Sequence, residues 1–337
     1  MKFYSITPDK LKSFVNDLIH KDYDVVCESS TGINFKRISN ADELNINPDG
    51  KPTHISMKEF FFPKTEPLFY YKQEKANVEL FDADNIDKKT VIIGAKPCDA
   101  AAVPVLQKVF NWDYKDEFFN RRVENTVVIG LSCSYSDQNC FCTSVGLSPV
   151  SEKGSDIFLY KDKDAYVMKP VTPKGEELID NFPYLKEKEA IGFEVPEQDN
   201  TPQKKFEYDN VKEWLDKNFS SDFWNEPGEL CLGCAQCAYA CPTCHCFDIV
   251  DEKCGYNCGR RVKNWDACQF GLFTKHASGH NPRENQEKRY RQRVSHKFKY
   301  YKDRFDEILC TGCGRCTRGC PAGIDIADVL IRINSMQ

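Results

Sequence analysis

The chain has 337 residues, a formal net charge of -5 and 18 cysteines. This length accommodates two domains with a sizeable core in at least one of them, and the acidic balance gives no overall reason to bind nucleic acid. Charged residues at Asp9, Lys10 and Lys12 argue against a signal peptide, and the apolar runs are too short to span a membrane. We therefore predict a cytoplasmic protein, in which so many reduced cysteines indicate metal ligation.

Residues 1–220 have the pattern of an α/β domain. Apolar periodicity predicts helices at Pro8–His20 and Asp209–Asn218, and β-branched runs predict strands at Thr90–Gly94 and Thr126–Leu131. Cysteine is sparse in this region, and its first 85 or so residues carry no motif that indicates a function.

A candidate site in this domain consists of four cysteines that follow the two predicted strands. Loops at the carboxyl ends of strands in an α/β sheet converge on one crevice, so these thiols are expected to meet there. A third [4Fe-4S] cluster, a zinc site and buried reduced cysteines packing as small hydrophobes are the alternatives. The four residues are Cys98, Cys133, Cys140 and Cys142.

Residues 221–337 contain two runs of the form C-x-x-C-x-x-C-x-x-x-C-P, at 231–242 and 310–321. Three thiolates of such a run reach three iron corners of a cubane, and in two-cluster proteins the cysteine before proline binds the other cluster. Zinc fingers are not spaced in this way, and a disulfide framework needs a secreted chain. We predict one [4Fe-4S] cluster on Cys231, Cys234, Cys237 and Cys320, and a second on Cys310, Cys313, Cys316 and Cys241.

The 68 residues between Cys241 and Cys310 are too many for a compact bacterial ferredoxin and favour a helical dicluster domain. An amphipathic helix is predicted at Asn285–Phe305 because apolar residues recur there at helical spacing. The predicted fold is α+β, with an N-terminal α/β domain (1–220) carrying one cluster and a C-terminal helical, ferredoxin-like dicluster domain (221–337). The apolar residues of the predicted helix are Tyr290, Val294, Phe298 and Tyr301.

Six cysteines have no predicted cluster. Cys244 and Cys246 are expected to pack or form hydrogen bonds beside a cluster, and the thiols of a C-x-x-x-C pair are too few for a metal site of their own. His245 could replace a thiolate as histidines do in Rieske centres, but a full thiolate set argues against it. The six are Cys27, Cys244, Cys246, Cys254, Cys258 and Cys268.

A basic run at Arg283–Arg304 holds nine Lys or Arg residues. Three interpretations apply: a solvated helix face, a docking surface for an acidic partner, or charges that offset those of the clusters.

Four segments together resemble one family: GAKPCD at 94–99, NCFCTSVG at 139–146, CPTCHC at 241–246 and WDAC at 265–268. Over residues 90–325 they resemble the iron–sulfur β subunits of cytosolic NiFe hydrogenases (sulfhydrogenases) and the corresponding iron–sulfur component of anaerobic sulfite reductase. The resemblance implies three [4Fe-4S] clusters, the third held by the four N-terminal cysteines. It also implies a separate flavoprotein subunit that exchanges electrons with NAD(P)H.

The expected function is electron relay without catalysis by the chain itself. No G-x-G-x-x-G or P-loop motif is present, so a flavin partner is needed to split a hydride into single electrons. The partners expected are a flavin-containing NAD(P)H oxidoreductase subunit and a catalytic subunit with a NiFe or sirohaem centre.

Two other functions are open to such a chain. The first is a disulfide or sulfur reductase using Cys244 and Cys246, although the chain lacks a Cys-Cys-Gly motif. The second is a cluster-based sensor binding nucleic acid through the basic run, which the acidic balance disfavours.

Overall fold

The computed structural model describes residues 2–83, 88–195 and 200–336. Within these ranges the strands are β1 (Tyr4–Ile6), β2 (Asp24–Glu28), β3 (Phe35–Ile38), β4 (Thr65–Glu74), β5 (Asn77–Asp82), β6 (Thr90–Ala95), β7 (Thr126–Leu131), β8 (Ile157–Asp162), β9 (Ala165–Pro170), β10 (Phe247–Lys253) and β11 (Cys258–Trp265). The helices are α1 (Pro8–His20), α2 (Pro97–Ala100), α3 (Ala102–Phe110), α4 (Glu117–Asn125), α5 (Pro173–Asp180), α6 (Tyr208–Lys217), α7 (Asn225–Leu230), α8 (Gln236–Tyr239), α9 (Gln286–Ser295), α10 (Tyr301–Phe305), α11 (Arg315–Arg318) and α12 (Ile326–Asn334).

A seven-stranded sheet in the order β1-β9-β8-β7-β6-β2-β3 forms the centre of the N-terminal region. Strands β2, β6, β7 and β8 are parallel, as in α/β proteins. Alternate residues face opposite layers: Val91 packs in one apolar cluster with α1, whereas Ile92 packs in another with α3. The predicted helices and strands of this region are confirmed to within one residue at each end.

A second, antiparallel sheet has the order β10-β11-β4-β5. Strand β11 from the cysteine-rich region pairs with β4 from the N-terminal region, so this sheet joins the two predicted domains. The expectation of a purely helical spacer between the cysteine runs is therefore wrong at 247–265. The spacer's own sequence did not indicate this hairpin, because one of its strands is stabilised by a distant partner. The division at residue 220 stays a prediction.

The predicted helix at Asn285–Phe305 is confirmed. It consists of α9, a π-helical turn at His296–Tyr300 and α10 without a break, and the Asn285 side chain caps its start by accepting from the Lys288 backbone N–H at 3.0 Å. Its four predicted apolar residues are buried, and three of them pack against α6 and α12. Single π-turns within helices are frequent at functional sites.

Candidate iron–sulfur centres

The N-terminal site begins at the ends of two neighbouring parallel strands. Cys98 follows β6 and Cys133 follows β7, and these strands pair with each other, so the predicted placement at one edge of the sheet is confirmed. Cys98 lies in the first turn of α2 and is buried. The preceding Lys96 is also buried and donates to the backbone carbonyls of Asn47 at 2.6 Å and Pro48 at 3.0 Å, which anchors the loop.

Cys140 and Cys142 complete this group. Burial raises the pKa of the Cys142 thiol to about 12, and the nearby Cys140 and Cys133 add to the shift. Burial and Asp99 raise the pKa of Cys98, with Cys133 also contributing. The four cysteines are thus electrostatic neighbours, as a shared site requires.

The second candidate site lies at the first cysteine run. Its four predicted ligands line one cavity together with Tyr290 and Arg293. Two donors reach its sulfurs: Gln286 Nε2 lies 3.4 Å from Cys231 Sγ, and the Ile324 backbone N–H donates to Cys320 Sγ at 3.3 Å. The four ligands are Cys231, Cys234, Cys237 and Cys320.

The third candidate site combines the second run with the last cysteine of the first. Burial raises the pKa of Cys310 to about 12, and Cys241 and Cys316 are among its charged neighbours. The pKa of Cys316 is raised by burial, with Cys313 and Cys241 contributing. Each predicted ligand therefore has another member of its set nearby.

Gly312 connects this loop to the N-terminal site. Its carbonyl accepts from the Phe141 backbone N–H at 2.9 Å, and its φ is +63°. A Cβ at this position would lie 2.5 Å from the backbone N of Cys142, so only glycine allows both the left-handed turn and this close approach.

The three sites are contiguous. Cys316 belongs to the third site yet also lines the cavity of the second, and Cys313 is a charged neighbour of Cys98. An ion pair between Arg315 and Asp99, 2.7 Å apart and buried on both sides, spans the boundary between the third site and the N-terminal site. Consecutive sites therefore share protein walls at these contacts.

Three buried lysine and arginine side chains surround the cysteines. Lys297 Nζ lies 3.4 Å from Cys241 Sγ, and Arg293 Nη1 lies 3.4 Å from Cys244 Sγ. Lys58 Nζ donates to the carbonyls of Ala238 and Cys244, both at 3.0 Å. Within the described ranges none of these cations has a carboxylate within 4.0 Å.

These cations test whether the donor set suits an iron–sulfur cluster. A buried cation is costly unless an anion compensates it. Burial by itself would lower the pKa of Lys297, but the neighbouring Cys241 and Cys244 thiolates raise it. Thiolates on clusters supply the negative charge that neutral thiols lack, so the residues present fit the group.

The basic run thus divides into buried and surface charges. Arg293 and Lys297 lie four residues apart, on the side of the helix that carries Val294 and Phe298, and this spacing was readable from the sequence. Sequence reasoning missed Lys58, because nothing local places this N-terminal residue beside the first cysteine run.

The cysteines without a predicted cluster fall into three environments. Cys27 is buried in the core of the large sheet. Cys254 and Cys258 face each other at the tip of the β10–β11 hairpin, with their sulfurs 2.6 Å apart. The others, Cys244, Cys246 and Cys268, gather near Cys241.

Two of this last group are closely coupled. A hydrogen bond from Cys246 lowers the pKa of Cys268 to about 6, and Arg293 adds to the effect. His245 lies between the cysteines in sequence, but its Nδ1 donates to the Thr243 carbonyl at 3.0 Å, and burial lowers its pKa to about 4.

Within the described part of the chain, no three His, Cys, Asp or Glu side chains form a group that could hold a single metal ion. A cubane differs in its requirement, because its thiolates each bind a separate iron. Among the same residues, no helix is both long and apolar enough to cross a membrane.

Comparisons with known proteins agree with this cysteine pattern. Residues 230–324 match the family model of the 4Fe-4S dicluster domain. The chain is 30% identical, over 341 aligned residues covering 98% of both proteins, to the sulfhydrogenase 2 subunit beta of Pyrococcus furiosus. No solved structure matches the chain.

The fold and the cysteine sites define an iron–sulfur electron-transfer protein that binds [4Fe-4S] clusters. The chain belongs to the family of sulfhydrogenase beta subunits. The similarity covers nearly the whole chain, so the first 85 residues also belong to the family pattern, which the motifs at 90–325 alone did not indicate.

Proposed function

We propose that the chain relays single electrons through [4Fe-4S] clusters at the three predicted sites, between a flavin-containing NAD(P)H oxidoreductase subunit and a catalytic subunit. The observation that carries this proposal is the contiguity of the sites: Cys316 lines the cavity of its neighbour, and Cys313 lies near Cys98. Electron transfer needs short separations between centres and no acid or base at them.

The clusters would supply one-electron chemistry, with potentials set by exposure, charge and hydrogen bonds to sulfur. The chain's own residues hold the cysteines in place and supply those charges and hydrogen bonds. Gln286, Arg293 and Lys297 all direct N–H groups at cysteine sulfurs. These contacts make the relay a tuned path.

Docking of a partner is proposed at the first cysteine run. Cys234 is exposed there, and the adjacent Leu232 has 70% of its surface exposed to solvent. An exposed apolar residue beside a cluster ligand suits a site where another subunit covers the chain and exchanges electrons. We propose a cytoplasmic complex whose catalytic subunit carries a NiFe centre, with a sirohaem centre as the alternative.

The relay is tested by removing its N-terminal member. Cys98→Ser is expected to lower the iron content of anaerobically prepared protein by about four per chain. In the purified complex, NAD(P)H-dependent dye reduction at the flavin should persist while transfer to the catalytic subunit falls. Cys27→Ser, which changes a core cysteine, should alter neither quantity.

Unchanged iron in Cys98→Ser would exclude the N-terminal cluster. Undiminished transfer despite the lost iron would place this cluster outside the electron path. The subunits that copurify with the chain identify the catalytic centre.

A further inference from the structure

Three cysteines outside the predicted ligand sets meet at one buried place. Cys244 and Cys246 lie in the loop after α8, and Cys268 follows β11. The Asp266 backbone N–H donates to the Cys246 carbonyl at 3.0 Å, which holds the two segments together. Cys246 and Cys268 are close enough to share a hydrogen bond, and Cys246 is also a charged neighbour of Cys244.

The place is enclosed and positively charged. Cys244 and Cys268 are buried. Arg293 Nη1 contacts Cys244 Sγ at 3.4 Å, and Lys58 Nζ contacts the Cys244 carbonyl at 3.0 Å, with no carboxylate partner for either cation among the described residues. A neutral Cys244 thiol leaves these contacts without an anion, whereas a ligated thiolate provides one.

The three cysteines also lie beside the predicted cluster sites. Cys268 is a charged neighbour of Cys237 in the second site, and Cys244 forms a hydrogen bond with Cys241 of the third. A redox centre at this place is therefore adjacent to two others.

We propose that Cys244, Cys246 and Cys268 bind a fourth iron–sulfur cluster next to the dicluster. Three thiolates hold three iron corners, and the remaining iron takes a non-cysteine ligand. This inference goes beyond the proposed relay, which requires only three clusters, and it does not depend on which partners the relay serves.

The chain offers a matched control for the test. Cys246 and Cys268 lie at the base of the β10–β11 hairpin, and Cys254 and Cys258 lie at its tip. Both pairs have closely spaced sulfurs, but only the first pair lies beside buried cations. Replacing either pair with serine removes the same number of thiols.

In the full chain prepared without oxygen, the Cys246→Ser/Cys268→Ser variant is expected to lose about four irons relative to the wild type. The Cys254→Ser/Cys258→Ser variant is expected to lose none. The reduced wild-type protein should show an electron paramagnetic resonance signal that the first variant lacks and Cys98→Ser retains.

Unchanged iron in Cys246→Ser/Cys268→Ser overturns the proposal, as does a Cys246–Cys268 disulfide in the anaerobic wild-type protein detected by mass spectrometry. Because serine at these positions could unfold the region, total wild-type iron gives a separate criterion. About sixteen irons per chain supports four clusters, and about twelve, with Cys98→Ser still losing four, refutes the fourth. Failure of the N-terminal cluster is recognised separately, by unchanged iron in Cys98→Ser.

Discussion

Replacing Lys297 with methionine should lower the reduction potential of the cluster bound by Cys241. Lys297 Nζ lies 3.4 Å from Cys241 Sγ and is held by Thr243 Oγ1 at 3.1 Å and the Leu309 carbonyl at 3.0 Å. Reduction adds negative charge to the cluster, so a neighbouring cation stabilises the reduced state and raises the potential. Methionine keeps the length of the side chain and removes the charge.

The size of the effect follows from this distance. Two unit charges 3.4 Å apart interact by about 5 kcal/mol at an effective dielectric constant of about 20. This energy corresponds to roughly 200 mV for one electron, at about 59 mV per tenfold change in equilibrium constant. The added electron is spread over the cluster, which roughly doubles the mean distance, so we expect a decrease on the order of 100 mV.

The measurement is a redox titration followed by electron paramagnetic resonance, on protein whose iron content matches the wild type. Lys299→Met is the matched control, because Lys299 is two residues away on the same helix but pairs with Asp216 instead of a cysteine. Its screened charge should matter little. Lys297→Arg should keep the wild-type potential. A potential in Lys297→Met equal to or above that of the wild type would refute the reasoning.

Three further outcomes are expected. Arg315→Met should lower the free energy of unfolding by about 3–5 kcal/mol in urea titrations, because it leaves the buried Asp99 carboxylate uncompensated, and adding Asp99→Asn should restore part of the loss. Phe298→Ala should cost about 3–5 kcal/mol in the same assay, since this ring is fully buried, and an unchanged midpoint would contradict its core role. Mild oxidation should join Cys254 to Cys258 in a disulfide, detected as the loss of two hydrogens by mass spectrometry without loss of iron; Cys258→Ser should abolish the mass change.

Local patterns were sufficient for much of the fold. The helix at Pro8–His20 and the strand at Thr126–Leu131 have the predicted bounds, because apolar periodicity and β-branched runs act within a few neighbouring residues. The β10–β11 hairpin was missed because its stability depends on pairing with β4, almost 200 residues earlier in the chain. Pairing between distant segments leaves no local signal in the sequence.

The sequence by itself determined the kind of chemistry, since the spacing of the two cysteine runs suits cubane clusters and few other groups. Only the tertiary structure decided which charges surround those cysteines. Lys58 comes from the N-terminal region and Arg293 from a surface-like basic run, yet both are buried beside Cys244. Spacing is a property of the chain, whereas burial and electrostatic contact arise when distant segments pack together.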